Sequence, residues 1–502
     1  MLLLTALCMR SIVGQATHLA GGELAFTPKN GVPNQYHITA RLYRDASAVV
    51  REALLYVSCN SNGCLQTSPG NFIATLPLTQ RRSYLPTCSS TSLPPFEMEI
   101  FEGDVTLPPA RWTLTAYGSN RSMEILNLVE PYANSMHIAA TLDNSNGLID
   151  SSPTFTSFTL PSFINNELSR YSFSAFDVDG DSLVYTSAQP LAGLEFPGTC
   201  SVPISYSRSA GGEFVDPITG ARVTYGPVQF TPAFPFLTYQ VAGGNAVPFF
   251  HLNAATGELL TRPVVIGYQV AAVRVDEYRR LGGSWQQIGS VTRDIVFRSP
   301  NGADNHNPTI AEARVAGAAA PQPVERVISV RPDQLVSLQL AATDPDAGQI
   351  LRISSDVGGL IPGATFQMLT AGQAQLNWQV PPQQPLGRYS FTVTVEDNGC
   401  PTPGLEVRTI TFLVTNQVLA TRSRQTLAQP AYPTPFHEQV QFQLASRKAQ
   451  AVTIVDELGR VVEQLTSQAD GTVVWQPTAT VRPGLYVART ADGLQVQRLV
   501  RQ

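Results

Sequence analysis

A chain of 502 residues exceeds what one hydrophobic core organises, so at roughly 100–200 residues per domain about three or four domains are expected. With 43% hydrophobic and only 14% charged residues it is too apolar for disorder, and a net charge of −5 with no basic patch argues against a nucleic-acid binder. The 37 Gly and 38 Pro, with many Thr, Val, Tyr and Phe, favour turns and strands, and the predicted fold class is all-β.

In chain order, "MLLLTALCMRSIVGQA" reads as a secretory signal over residues 1–16: an apolar Leu2 to Met9, then Gly14 and Ala16 before the cut. No basic residue precedes the run and Arg10 interrupts it; a buried first strand is the alternative. Beyond it no apolar run approaches the roughly 20 residues that span a bilayer, so no transmembrane segment is expected in the mature chain. Removal of the signal leaves Cys59, Cys64, Cys88, Cys200 and Cys400. In an oxidising compartment two of the clustered Cys59, Cys64 and Cys88 are expected to pair, Cys64 being one of them, while the sequence leaves the connectivity open. The alternative is that all are reduced and buried. "CNSNGC" is not C-x-x-C and has no His pair nearby for zinc.

"NQYHITARLYRD" alternates Tyr36, Ile38, Ala40 and Leu42 with polar neighbours, the period of a half-buried strand. Pro- and Asn-rich breaks divide the chain after the signal into an N-terminal β-domain with the clustered cysteines (17–145), a β-sandwich (146–300), a linker (301–325), a second sandwich (326–418), a linker (419–430) and a C-terminal segment (431–502). A weak repeat joins the two central segments: "YSFSAFDVDGDSLVYTSAQPLAG" lines up with "VSLQLAATDPDAGQILRISSDVGG", and "IGYQVAAVRVDEYR" with "LGRYSFTVTVEDNG". Trp112, Trp285, Trp378 and Trp475 fall one per folded segment, each a candidate core anchor.

Asp177, Asp179 and Asp181 around Gly180 offer hard oxygen ligands at a turn, the chemistry calcium requires, without the Gly and Glu positions of an EF-hand. Several carboxylates held close together repel without a cation. The alternative is an ordinary Asp/Gly turn facing water.

The acidic turns, "HLNAATGELLTRP" and "LNWQVPPQQPLGRYSFTVTVEDNG" resemble the cadherin-like and bacterial immunoglobulin-like modules of exported proteins, over about residues 150–300 and 325–417. The resemblance implies tandem β-sandwiches and a second loop completing each metal site. That loop would supply Asp276 and Glu277 in the first module, while the second would use Asp344, Asp346, Glu396 and Asp397. Calcium is the cofactor so implied.

The last segment carries "AYPTPFHEQVQFQL", "VTIVDELGRVVEQL" and "VRPGLYVARTADGLQVQRLV". These resemble the type A C-terminal sorting domain of Bacteroidetes proteins exported by the type IX secretion system. The matching positions are Tyr432, Pro433, Pro435 and Phe436, then Leu458, Gly459, Arg460 and Val461, then Gly484, Leu485 and Tyr486, then Arg498, Leu499, Val500 and Arg501; Thr434 departs from the usual Asn. The implied partner is the type IX machinery of the outer membrane. Independently of the resemblance, Asp492-Gly493 and Leu458-Gly459 read as hairpin turns in a small sandwich. "ATHLAGGELAF", "YQVAAVRVDEYR" and "IGSVTRDIVF" are similar to exported surface proteins of gliding bacteria, which implies a location and no activity.

Catalytic signals are sparse. The six His are scattered, with no H-E-x-x-H and no G-x-S-x-G, and "AGGEL", "SAGGEF", "VAGGN" and "LGGSW" read as turns. Glu97, Glu99 and Glu102 read as a solvated strand face before they read as glycosidase acids. The expectation is a non-catalytic structural or adhesive protein, secreted to the outer cell surface or medium, that meets surface glycans or other surface proteins. The alternative is a carbohydrate-active protein, with the aromatic stretch between residues 225 and 250 as its platform.

Overall fold

The computed structural model describes residues 19–46, 52–84, 88, 95–194, 200–302, 305–416, 429–433, 435–445, 448–456, 460–490 and 495–501. The signal-like residues 1–16 lie outside them. The chain divides into two compact units, Met1–Gln417 and Val418–Gln502. Among the described residues there is no helix, so none is long and apolar enough to cross a membrane.

Seven antiparallel strands open the first unit: β1 (Leu19–Pro28), β2 (Gln35–Asp45), β3 (Leu54–Asn60), β4 (Phe72–Tyr84), β5 (Phe96–Thr106), β6 (Arg111–Asn120) and β7 (Ser135–Asp143). They pair in the order β1-β2-β5-β4-β3-β6-β7. On β2 the alternation sends Tyr36, Ile38, Ala40 and Leu42 into the core, none more than 4% exposed. Each large aliphatic side chain so buried stabilises the sheet by about 1.5–3 kcal/mol.

The repeat is real and topological. The first sandwich uses β8 (Thr154–Phe155), β9 (Ser169–Ser172), β10 (Ala175–Phe176), β11 (Ser182–Ala188), β12 (Phe250–Leu252), β13 (Glu258–Thr261), β14 (Gly267–Leu281) and β15 (Ser284–Ser299). The second uses β16 (Thr309–Val315), β17 (Ile328–Val330), β18 (Leu335–Thr343), β19 (Arg352–Ser354), β20 (Ala364–Thr370), β21 (Gln373–Gln379), β22 (Gly387–Glu396) and β23 (Leu405–Val414). One face is β8-β10 with β12-β13-β9 in the first and β16-β18-β21-β20 in the second; the other is β11-β14-β15 and β19-β22-β23. Even the parallel contact recurs, as the Ser162–Arg298 bridge and as β17 beside β23. Both are β-sandwiches of the cadherin-like and immunoglobulin-like kind.

The boundary expected at 145/146 does not separate domains. β15 is 16 residues long and hairpins with β14 along one edge, while its other edge takes β7 at Gly289–Val291 and β1 at Arg293–Ile295. The first sandwich and the N-terminal strands therefore share one 12-stranded sheet and one core. "AGGEL" is accordingly strand and not turn: a Cβ on Gly21 would stand 2.4 Å from the Asp294 carbonyl oxygen, so only glycine lets β1 approach β15. Across this seam Arg293 and Glu23, both fully buried, form an ion pair, and the guanidinium lies 4.3 Å from the Phe155 ring centroid.

The linker expected at 301–325 contains β16, which pairs with β18 as part of the second sandwich. The two sandwiches interlock: Phe176 packs into the second core near Tyr389 and Phe391, while Leu405 and Val407 belong to the first. Ser172 and Thr409 hydroxyls meet at 2.7 Å, and the Thr392 hydroxyl donates to the Thr156 carbonyl at 2.6 Å.

The disulfides correct the expected pairing within the cluster. Cys64 bonds Cys200 and Cys88 bonds Cys400, across 136 and 312 residues, whereas Cys59 points inward from β3 as a buried free thiol. Cys64 and Cys88 lie in loops that meet other segments, and Cys59 is sealed from both by strand alternation. Trp112, Trp378 and Trp475 anchor cores, but Trp285 sits near the β14–β15 hairpin tip, 62% exposed.

The second unit is a small sandwich of a three-stranded and a four-stranded sheet. Phe436, Tyr486 and Leu499 are buried around Trp475, and the Phe436 N–H donates to the Val500 carbonyl. Tyr432, Pro433, Pro435 and Arg498 are exposed. Gly484 pairs with Arg501, and Arg460 closes a turn on Asp456 at 2.7 Å. Thr434, Leu458, Gly459, Asp492 and Gly493 lie outside the described residues, though the strands flanking both expected hairpins do pair.

Candidate metal centre

The stretch "FDVDGDSL" turns between β10 and β11. Gly180 sits at φ +80°, and the Asp181 N–H donates to Asp177 Oδ1 at 3.0 Å, so the turn closes on its own first carboxylate. Asp179 accepts from the Ser151 N–H at 2.8 Å, which draws in the connection after β7 and with it Asp150. Glu277 reaches the same place from β14, where the ladder slips between Glu277 and Tyr278, an irregularity that re-aims side chains.

Ligand atoms of Asp150, Asp181 and Glu277 lie within 4.8 Å of one another, and so do those of Asp177, Asp179 and Asp181. Asp150, Asp177 and Glu277 are at most 1% exposed. Asp150 Oδ2, Asp177 Oδ2 and both Glu277 carboxylate oxygens have no N–H or hydroxyl donor, and the Glu277 carboxyl lies against the Asp177 carboxylate, close enough for the two to share a proton. Gly289 leaves room for them: a Cβ there would come within 2.9 Å of Glu277 Oε2 and 3.6 Å of Asp150 Oδ2. Burial, with neighbouring carboxylates adding to it, pushes the Asp150 carboxyl up to about 8, and burial pushes Asp177 to about 6 and Glu277 well above its ordinary range.

Arg279 is the counter-charge. Its Nε donates to Asp181 Oδ1 at 2.8 Å, Nη2 to Asp150 Oδ1 at 2.7 Å and to Asp181 Oδ2, and Nη1 to the Ile149 carbonyl at 3.0 Å. One guanidinium against five carboxyl groups leaves the pocket short of positive charge. The all-oxygen donor set, with buried atoms lacking donors, suits a hard divalent cation such as calcium and has no nitrogen or sulfur for zinc.

Three of the expected first-module ligands, Asp177, Asp179 and Asp181, come together with Glu277. Asp276 does not: adjacent strand residues face opposite ways, and Asp276 pairs with Arg274 and Gln287 at 2.9 and 2.8 Å. Asp150 and Arg279 were missed. Asp150 comes from a presumed interdomain break, but Arg279 stands two residues after Glu277, the same-face spacing of a strand, which was a usable signal.

In the second module the protein satisfies most of the carboxylate oxygens, Asp344 Oδ2 being the buried exception. Asp397 accepts from Asn305 and from the Gly399 and Gly404 N–H groups at 2.7 and 2.9 Å. Asp346 accepts from the His306 backbone and ring at 2.7 and 2.9 Å, and Asp344 Oδ1 from the Asp346 N–H. Glu396 pairs with Arg352 in the ladder, one residue out of phase with Asp397. Among the described residues these four acids form no three-carboxylate cluster.

The other candidate chemistries find no assembled site among the described residues. His137 meets the Ser201 hydroxyl at 2.9 Å, but its other ring nitrogen faces the Leu194 carbonyl where a triad requires a carboxylate. Glu99 is buried between Arg44 and Arg81, both at 3.1 Å, and Glu97 is buried too, so that face is not solvated as expected. In the aromatic stretch Tyr225 stacks on Tyr239 at 4.7 Å and Phe236 meets Phe297 at a tilt, with Phe230, Phe236 and Tyr239 at most 3% exposed. Phe230, Phe236 and Tyr239 fill an interior, while Tyr225, Phe234, Phe249 and Phe250 are half-buried.

No protein-family model and no curated protein matches the chain. Among solved structures it is similar to the titin Z1Z2 domains in complex with telethonin, at 13% identity over 53% of this chain and 98% of that one, with a TM-score of 0.13. It is also similar to the human desmocollin-1 ectodomain, at 11% identity over 95% and 78% with a TM-score of 0.16, and to the BSP domain of a biofilm-associated protein, at 9% identity over 96% of each with a TM-score of 0.12. At such scores the fold assignment rests on the chain's own sheets.

Proposed function

We propose that this chain is an exported, non-catalytic structural or adhesive protein of the outer cell surface, whose interlocked sandwiches act as a stiff body. The observation that carries the reading is the pair of disulfides joining segments 136 and 312 residues apart, bonds that persist in oxidising compartments and that fasten the N-terminal strands to the segment between β11 and β12 and to the second sandwich. Calcium at Asp150, Asp177, Asp179, Asp181 and Glu277 would stiffen the junction further: Gly180 in that turn abuts Tyr389 and Gly387 of the second sandwich. Its contribution would be charge neutralisation and cross-linking of three segments, with no reaction step.

The C-terminal unit is the delivery signal in this reading, recognised by the type IX machinery. Its exposed Tyr432, Pro433, Pro435 and Arg498 are available to a receptor while Phe436, Tyr486 and Leu499 hold the fold. Surface glycans or other surface proteins are the contacts proposed for the body. Fractionating cells that express the chain with and without residues 431–502 tests the reading. Surface or medium delivery that depends on those residues supports it, and unchanged delivery without them contradicts the sorting role.

A further inference from the structure

The carboxylate pocket is guarded by a cation of its own. With Arg279 in place, the buried oxygens without an N–H or hydroxyl donor are four, Asp150 Oδ2, Asp177 Oδ2, Glu277 Oε1 and Glu277 Oε2, and the half-buried Asp179 Oδ1 makes a fifth. Arg279 holds three more, Asp150 Oδ1, Asp181 Oδ1 and Asp181 Oδ2. Calcium takes six to eight oxygens. Five fall short of that range, and the eight on offer once the guanidinium withdraws lie inside it. Glu277, wholly buried, has no N–H or hydroxyl donor on either oxygen and meets only the Asp177 carboxylate, while Asp150 Oδ2 beside it has no partner, so the pocket behind Arg279 holds more acceptors than the turn's own hydrogen bonds use.

We infer that Arg279 is an exchangeable internal cation: it occupies the mouth of the pocket in the metal-free chain and must leave Asp181 and Asp150 for calcium to be fully coordinated. Its side chain is 21% exposed, so it has a route to water. The rest of the pocket is carried on a bulged strand and a turn closed by its own hydrogen bond, neither of which relies on the guanidinium for those contacts. The exchange makes metal loading a competition between two cations for the same oxygens. Arg279 keeps the junction from collapsing through carboxylate repulsion where calcium is scarce, and it lowers calcium affinity, so that loading occurs only where the ion is plentiful. The inference rests on the calcium reading proposed above.

The test is calcium chloride titration of the full chain by calorimetry, with melting temperatures in EDTA and in calcium, for wild type, Arg279→Gln, Arg279→Lys and Glu277→Gln. Exchange predicts that Arg279→Gln melts lower in EDTA and binds calcium roughly tenfold or more tightly, since charge-assisted hydrogen bonds no longer have to be broken first. Arg279→Lys, which keeps the charge but cannot span Asp181, Asp150 and the Ile149 carbonyl together, falls between and serves if the Gln variant does not fold. Calcium binding by Arg279→Gln alone, with none by wild type, overturns exchange, because Arg279 then replaces the ion and does not give way to it. Equal or weaker binding by both Arg279 variants, with Glu277→Gln still abolishing it, overturns the exchange and leaves the calcium site standing. No calcium binding by wild type or either Arg279 variant overturns both.

Discussion

The two sandwiches share a topology, an acidic turn and an acid-ended strand, yet only the first gathers its carboxylates. In the second, Asp397 is met by Asn305 and two backbone N–H groups and Asp346 by His306, so nearly every acid has its own donor. In the first, Asp150 arrives from outside the repeat, a third aspartate stands at 181, and four buried oxygens are left without donors. Shared topology places acids near one another; what surrounds them decides whether they become a site. The sandwiches differ in their edges as well, since β15 is covered by β1 and β7 and is thereby part of a larger sheet.

That second difference can be broken most forcefully at the seam. Arg293→Ala leaves buried Glu23 with only Arg41 at 3.3 Å and the Tyr43 hydroxyl at 3.4 Å, and is expected to cost about 3 kcal/mol, the lower end for breaking a buried pair, read by denaturant unfolding of the full chain. If the N-terminal strands were an independent domain, the change would be small or confined to one of two transitions. Next in size is the Cys88–Cys400 bond, which fastens the second sandwich to the N-terminal strands. Replacing both with alanine should lower stability by about 2–4 kcal/mol in the same measurement.

A pH effect comes from the seam's far side. Burial lowers the His137 imidazole from 6.5 to about 4, with Arg121 nearby opposing its protonation and Tyr117 packed edge-on. The unfolded chain therefore takes up the proton first: this contribution to stability is complete above pH 6.5 and is lost as pH falls towards 4. By about pH 5 the loss should be about 2 kcal/mol, and His137→Gln should flatten that part of the melting-temperature profile. Smallest is Trp285→Ser, expected within about 0.5 kcal/mol because the ring is in water, whereas Trp378→Ala in the second core should cost about 3–5 kcal/mol.

Local periodicity made much of this legible beforehand. The inward set of β2, the repeat, the acidic turn and the small C-terminal sandwich each depend on residues a few positions apart, and strand alternation or turn chemistry expresses them directly. What escaped depends on distant segments. The partners of Cys64 and Cys88 lie 136 and 312 residues away, and nothing local marks Gly21 and Gly22 as the contact that fuses β1 to β15. Asp276 and Glu277 are both candidates in the sequence because adjacent acids have no assigned face until the register is known. Asp150 sat in a stretch whose Asn, Gly and Ser read as a domain break, although it is wholly buried.

The central claim is that the Asp150–Glu277 pocket holds calcium and that the equivalent acids of the second sandwich do not. Calorimetric titration of the full chain with calcium, repeated on Glu277→Gln and Asp397→Asn, addresses it directly. The account predicts one saturable site in wild type that is lost in Glu277→Gln and kept in Asp397→Asn. Binding that survives Glu277→Gln and disappears in Asp397→Asn, or no binding at all, would contradict it.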